Sequence, residues 1–300
     1  MRNLYRGANE GEYRIDVLSP DMTSDFASLN WDTFPTLAHP DKRNFKSLNS
    51  GMDLISDHHL YYLAGRLIFT GEVSAADCVQ GGLLDNQMAN TCGEEKAFEE
   101  TSEWQNRYNQ PLFQASKIHG IPAQIVKAVI LQESQFWPDP EIEFEYGLGS
   151  ISENGVDVLL SWDTTSFLAE CVPYFDEGTC TAGYNSLSTE QRADLRGLVL
   201  RDIGTEDEID LLARVIKANT VQVGQLMRNV YGVSPALITS YEDLWDFSIA
   251  NYHVGNQCIA EGLNILYANE IPVTFENYCD TITTCPTTCL FVQRVKDFLR

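Results

Sequence analysis

Glu133 stands at the end of an apolar helical pattern, in the stretch VILQESQFWP that covers residues 129–138. The apolar positions 125, 126, 129 and 130 recur at helical spacing, and the same spacing brings position 133 onto their face. Burying a carboxylate costs several kcal/mol unless it is paired or protonated, and the loss of hydration raises its pKa. Lys127 is six residues away on a different face, so the helix supplies no local salt bridge. A glutamate held protonated near neutral pH has the property that a general acid requires. The alternative is a solvated Glu133 in a frayed last turn before Pro138.

Two remote segments carry further residue types suited to ligand contact. YGLGSIS at 146–152 has two closely spaced glycines, which let a main chain approach a ligand, followed by hydroxyl side chains. ANYHVG at 250–255 places Tyr252 and His253 at a helix interruption, where their polar ends could face a cleft. The plainer interpretation makes these residues turn glycines, a core tyrosine and a surface histidine.

In this order the three segments resemble the catalytic domain of soluble lytic transglycosylases, which shares a lysozyme-like helical fold with goose-type lysozymes. GIPAQIVKAVILQESQF at 120–136 is similar to the family helix that ends at the catalytic Glu-Ser pair. Gly147-Leu148-Gly149-Ser150 looks like the family block G-L-M-Q, and residues 251–255 look like A-Y-N-A-G. The resemblance covers about residues 101–270.

The chain departs from the family pattern at three places. Ser150 stands where the family usually has Gln, and His253 where it usually has Asn. Asn219 and Gly224 are five residues apart, where the family tends to have an Asn and a Gly four apart. These differences bear on the hydrogen bonds to the sugar.

The resemblance implies cleavage of the β-1,4 bond between N-acetylmuramic acid and N-acetylglucosamine in peptidoglycan or a related amino-sugar glycan. Glu133 would protonate the leaving oxygen and then act as base on the muramoyl 6-hydroxyl, which gives a 1,6-anhydro product. One carboxylate suffices where the N-acetyl group of the substrate assists. Ser134 and Tyr252 would orient Glu133 or contact that group. The predicted substrate-binding set is Ser134, Trp137, Tyr146, Gly147, Leu148, Gly149, Ser150, Tyr252 and His253.

Three other functions remain open. A second carboxylate from Asp139, Glu141, Glu143 or Glu145 could activate water and make the protein a lysozyme-type hydrolase, although a charged run is more often a solvated rim. Ser150 and His253 would also suit a non-catalytic glycan-binding module. A structural surface protein is the third alternative, and a neutral, chitin-like glycan is a possible substrate.

Composition narrows the partners and the compartment. Twenty basic and 43 acidic residues give a net charge of -23, which disfavours nucleic acid and anionic membrane surfaces. Neither a membrane span nor a signal peptide is visible, so we expect no membrane insertion. Eight cysteines with only five histidines favour disulfides and an extracellular or cell-surface location. Cys285 and Cys289 could be thiolate ligands, but no second pair completes a zinc site. We predict no metal and no cofactor.

The chain is expected to be mostly α. Residues 1–55 read as an irregular extension, 56–100 as a helix and a loop closed by a Cys78–Cys92 bridge, 101–270 as the lysozyme-like domain and 271–300 as a cysteine-rich segment. Helices are predicted from about 56 to Gly71, from near Pro111 to Gly120, from Pro122 to 136, from about 208 to 230 and from Ser240 through Gly255. Residues 138–162 read as loop.

Overall fold

The protein is mostly helical. The computed structural model describes residues 48–138, 145–201 and 205–298, with only the backbone at 205 and 206. The α-helices are α1 Tyr61–Thr70, α2 Thr91–Arg107, α3 Asn109–His119, α4 Ala123–Ser134, α5 Glu153–Trp162, α6 Thr164–Cys171, α7 Glu177–Thr181, α8 Thr189–Val199, α9 Thr205–Tyr231, α10 Tyr241–Val254, α11 Asn256–Ala268, α12 Phe275–Thr281 and α13 Pro286–Phe298. Short 3-10 helices are Gly51–Leu54, Val79–Gly82, Tyr184–Ser186 and Pro235–Leu237. The predicted mostly α class is confirmed. No described helix combines the length and the apolar character that crossing a membrane requires.

The five helices predicted from apolar spacing are present, and their ends differ from the predicted ones by a few residues. Gly71 closes α1 in the left-handed conformation at φ 83°, and Gly120 closes α3 at φ 70°. Pro122 is the N-cap of α4. The Ser240 side chain accepts a hydrogen bond from the main-chain N–H of Asp243 and so caps α10. These boundaries follow from local chemistry, because glycine, proline and serine each satisfy or interrupt the backbone at a helix end.

The prediction that residues 138–162 are loop is wrong for 145–146 and 151–162. Strands β1 Glu145–Tyr146 and β2 Ile151–Ser152 form a small antiparallel hairpin, and α5 follows at once. The α5 side chains of Val156, Leu159, Leu160 and Trp162 are buried at helical spacing. Residues 139–144, with Asp139, Glu141 and Glu143, lie outside the described residues, as do residues 1–47 of the predicted extension.

The described residues divide into two compact units. One consists of 48–138, 145–153, 200–201, 205–214 and 295–298 and is called the hairpin unit, because it contains β1 and β2. The other consists of 154–199 and 215–294 and is called the C-terminal unit. Helix α4 runs through the interior of the hairpin unit, with every residue from Ile125 to Leu131 buried. Helix α10 has the corresponding position in the C-terminal unit, where residues 244–251 are all buried.

All eight cysteines are in disulfides, which confirms that prediction. The bridges are Cys78–Cys92, Cys171–Cys180, Cys258–Cys285 and Cys279–Cys289. Cys285 and Cys289 each bond a different partner, so they are not a pair of thiolate ligands. Each bridge closes a loop of 9 to 27 residues. In the C-terminal segment, Cys258–Cys285 joins α11 to the residue before α13, and Cys279–Cys289 joins α12 to α13.

Candidate functional site

Glu133 lies in the last turn of α4 and is partly buried. Burial, and after it the negative charge of Glu145, raise the pKa of Glu133 to about 8 from an ordinary value of 4.5. The chain leaves the helix through Gln135 and Phe136, both with positive φ, at 47° and 66°. The Gln135 side-chain oxygen accepts the main-chain N–H of Tyr62 at 2.9 Å, which fixes this turn against α1. The chain that follows Glu133 is therefore held against α1.

Lys127 does not lie on an exposed face of α4. It is 1% exposed, and its Nζ donates hydrogen bonds to Leu54 O at 2.6 Å, Asn109 Oδ1 at 2.9 Å and Asn106 Oδ1 at 3.1 Å. Burial lowers the pKa of Lys127 to about 7, while the three oxygens match the three protons of the ammonium form. α4 is thus buried around its whole circumference, and the apolar stripe inferred from the sequence is only part of its buried surface.

Ser134 is fixed by the hairpin. It is 4% exposed, and its Oγ donates to Leu148 O at 2.7 Å, with Ile130 O also in reach at 3.2 Å. The resemblance implies that Ser134 orients Glu133 or meets the substrate. The structure places its hydroxyl between α4 and the turn that joins β1 to β2.

The turn from Gly147 to Ser150 packs closely on α9. A Cβ atom at Gly147 would lie 2.8 Å from Glu208 Cδ, and one at Gly149 would lie 2.6 Å from Leu212 Cδ1. Gly147 also has φ 65°, so a side chain there would be strained as well as crowded. The sequence predicted that these glycines let a ligand approach. In the structure they let two side chains of α9 approach.

Tyr146 lies just before this turn and Ser150 at its end, and their side chains differ in exposure. Ser150 is 8% exposed, has φ 50°, and its Oγ is buried without a hydrogen-bond partner among the described residues. Tyr146 is 38% exposed. Of the predicted contacts in the hairpin, Tyr146 is therefore the side chain with free surface for a sugar ring.

Glu208 is a third carboxylate in this region that sequence reasoning missed. Its Oε2 accepts the Leu148 main-chain N–H at 3.4 Å, and burial raises its pKa. Glu208 precedes the buried Leu212 and Val215 by one and two turns on the same face of α9. The spacing argument used for Glu133 would have found it.

Trp137 packs within the hairpin unit. Its ring stacks on Trp104, with centroids 5.4 Å apart, and the Arg66 guanidinium lies 5.3 Å from its centroid. Helices α1 and α2 supply these contacts. Sugar stacking by Trp137 remains a prediction, and its ring already has two partners.

Tyr252 and His253 belong to the C-terminal unit, near the end of α10. The His253 ring stacks on Phe291 with centroids 4.0 Å apart and planes 1° apart, and burial lowers its pKa. Asn251, which precedes Tyr252, is 2% exposed. It donates through Nδ2 to Asn219 Oδ1 at 2.7 Å and to Gln222 Oε1 at 2.8 Å. Asn219, noted in the sequence only for its spacing, thus contacts the third motif. Gly255 ends α10 as the sequence predicted.

The structure therefore brings together Glu133, Ser134, Glu145 and the turn at 147–150 in one unit. Within the described ranges, no group of three or more His, Cys, Asp or Glu side chains is arranged to hold a metal ion. No protein-family model, no curated protein and no solved structure matches this chain.

Proposed function

We propose that the protein is a lytic transglycosylase that cleaves the β-1,4 bond between N-acetylmuramic acid and N-acetylglucosamine in peptidoglycan. The observation that carries the proposal is Glu133. It is partly buried at the end of an enclosed helix, and its pKa is raised to about 8. At pH 7 a group with a pKa in that range is mostly protonated. An ordinary exposed glutamate is ionised at that pH and cannot donate a proton.

The chemistry uses this single group twice. Protonated Glu133 transfers its proton to the glycosidic oxygen as the bond from that oxygen to the anomeric carbon breaks. The resulting carboxylate then accepts the proton of the muramoyl 6-hydroxyl, whose oxygen bonds to the same anomeric carbon. Glu133 ends protonated, the chain is cut, and the new terminus is a 1,6-anhydro sugar. The N-acetyl group of the substrate stabilises the oxocarbenium-like centre, so one carboxylate is enough.

Three residues near Glu133 have positions that suit its role as general acid. Ser134 ties α4 to the β1–β2 turn through its hydrogen bond to Leu148 O. Glu145 lies near enough that its charge favours the protonated form of Glu133. Tyr146, exposed in the same hairpin, offers an aromatic face to a sugar ring. The substrate class comes from the sequence resemblance, and these contacts support the role of Glu133 as the general acid.

Hydrolysis is the second candidate, and the influence of Glu145 on Glu133 favours it. If Glu145 is ionised while Glu133 holds a proton, one carboxyl can act as acid and the other can activate water. The product would then have a reducing end. The two reactions share Glu133 and differ in what attacks the anomeric carbon.

Digestion of purified peptidoglycan followed by mass spectrometry tests the proposal. We expect anhydro-muropeptides from the wild type and none from Glu133→Gln. Glu103→Gln is a matched control, because Glu103 is an exposed glutamate of α2 in the same unit. Reducing ends without anhydro products would select hydrolysis. Equal products from wild type and Glu133→Gln would remove Glu133 from the mechanism, and no release by the wild type would leave a binding module.

A further inference from the structure

The C-terminal unit contains a surface cavity of about 350 Å³ that the proposed function does not use. It lies where α9 and α11 end, and it shares no described lining residue with the candidate site. Tyr231, Tyr267 and Glu270 line it together with aliphatic residues and a proline. Leu266 and Val273, buried at 0% and 4% exposure, form its apolar floor.

The two tyrosines form an aromatic corner. Their ring centroids are 5.2 Å apart and their planes are 87° apart, so the edge of one ring meets the face of the other. The Tyr231 hydroxyl donates to Leu263 O at 3.3 Å, which directs its polar end away from a ligand and fixes the ring. Tyr267 is 48% exposed and forms the open side. The exposed Tyr267 ring can present the negative quadrupole of its face to a ligand in the cavity, and such a face attracts an organic cation.

Glu270 is unfavourable at its position for two reasons, its left-handed backbone conformation and its negative charge at a helix C-terminus. The N–H of Glu270 donates to Tyr267 O at 3.2 Å and that of Ile271 to Leu266 O at 2.9 Å, the two bonds of a Schellman motif at the end of α11. The residue at this place is usually glycine because it must be left-handed, and Glu270 has φ 55°. A negative charge is also unfavourable at a helix C-terminus. A non-glycine residue held in this way is a recurrent mark of a functional site.

From the aromatic corner, the apolar floor and the carboxylate we propose that this cavity binds a small organic cation with an apolar body, a trimethylammonium group in the first instance. The methyl groups contact the tyrosine faces and the floor, and Glu270 balances the charge. None of the described residues that line the cavity carries a positive charge. The net charge of -23 adds a long-range attraction for cations. This proposal is independent of the glycan-cleaving activity.

The test compares choline with 3,3-dimethyl-1-butanol, which has the same shape without the charge, by calorimetric titration of the full chain. We expect saturable choline binding with a Kd on the order of 1 mM or below, and binding of the neutral analogue at least about tenfold weaker. Equal affinity for the two compounds, or no saturable choline binding at about ten times that concentration, overturns the proposal.

Variants assign the binding to this cavity. Glu270→Gln and Tyr267→Ala should each weaken choline binding about tenfold. Two matched controls in the same unit, Glu276→Gln and Tyr174→Ala, replace exposed residues outside the cavity and should leave it unchanged. Binding that survives both cavity variants contradicts the assignment.

Glu270→Gly separates function from folding. It should raise Tm by roughly 1–3 °C, because glycine adopts the left-handed conformation freely, while choline binding falls. A lower Tm would refute the argument that the carboxylate is held there against local stability.

Vesicles of phosphatidylcholine distinguish two sources of the ligand: co-sedimentation indicates a lipid headgroup, and choline binding without it indicates a free small molecule.

Discussion

The hydroxyl of Ser134 donates a hydrogen bond to the main-chain carbonyl of Leu148 at 2.7 Å. This bond joins the last residue of α4 to the turn between β1 and β2. Glu133 immediately precedes Ser134, and Glu145 begins the hairpin whose turn Leu148 occupies. The distance between the two carboxyl groups therefore depends on a buried serine.

Replacing Ser134 with alanine should weaken both stability and activity. The Leu148 carbonyl loses a donor in a buried place, which costs about 1–3 kcal/mol of unfolding free energy. If the proposed reaction holds, kcat should fall about tenfold or more because the hairpin is no longer fixed against Glu133. Urea denaturation and a peptidoglycan turbidity assay measure the two effects. Ser248→Ala is the control, since the Ser248 hydroxyl is equally buried but bonds Leu244 O within its own helix. An equal loss of activity in both variants would contradict the positioning role.

Removing the charge of Glu145 should move the pH profile of activity. Glu145 raises the pKa of Glu133, so Glu145→Gln should lower it, and the basic limb of kcat/KM should shift to lower pH. A transglycosylase should retain activity at pH 6 in this variant, whereas a hydrolase that uses Glu145 as base should lose it. The profile is measured from the rate of muropeptide release between pH 5 and 9. An unchanged basic limb would show that the two carboxyl groups do not interact.

Glu133→Gln should stabilise the fold at alkaline pH while it abolishes cleavage. The folded-state pKa of about 8 exceeds the ordinary 4.5, so the protonated carboxyl contributes stability fully below pH 4.5, and this is lost as pH rises through 8. The wild type and the variant should therefore have similar Tm values at pH 4, and the variant the higher Tm at pH 9. Differential scanning calorimetry at both pH values measures this. A wild type that is as stable as the variant at pH 9 would mean that Glu133 is well hydrated.

Lys127→Met should destabilise the hairpin unit by about 3 kcal/mol. The substitution keeps the length of the side chain but leaves the oxygens of Leu54, Asn106 and Asn109 without its three N–H donors. Lys117→Met is the matched control, because Lys117 is exposed on α3 and should change stability by less than about 0.5 kcal/mol. The midpoint of chemical denaturation gives both values, and similar midpoints would mean that the three hydrogen bonds add little.

Local patterns were enough to predict five of the thirteen described α-helices. Helices α1, α3, α4, α9 and α10 combine apolar residues at helical spacing with a glycine, proline or serine at an end. α2 was not predicted because its buried positions include Ala97, Thr101 and Gln105, which are small or polar, within an acidic sequence. α5 was missed because the glycines and acidic residues around it are typical of loops.

The candidate site was predictable only where one helix determines it. Glu133 follows from the register of α4, and Glu208 would have followed from that of α9. The bond from Ser134 to Leu148 and the packing of Gly147 and Gly149 on α9 join segments that are 14 to more than 60 residues apart. Such contacts depend on tertiary packing, which spacing within one segment does not reveal.

The two bridges near the C-terminus interleave, since Cys279 lies between Cys258 and Cys285, and Cys289 follows both. Four thiols can pair in three ways. A disulfide between cysteines that are neighbours in sequence, such as Cys279 and Cys285, would give a non-native isomer. The Cys78–Cys92 and Cys171–Cys180 bridges each join cysteines that are close in sequence, with separations of 14 and 9 residues, and neither interleaves with another bridge. We therefore expect thiol exchange during folding to be needed chiefly within residues 258–289.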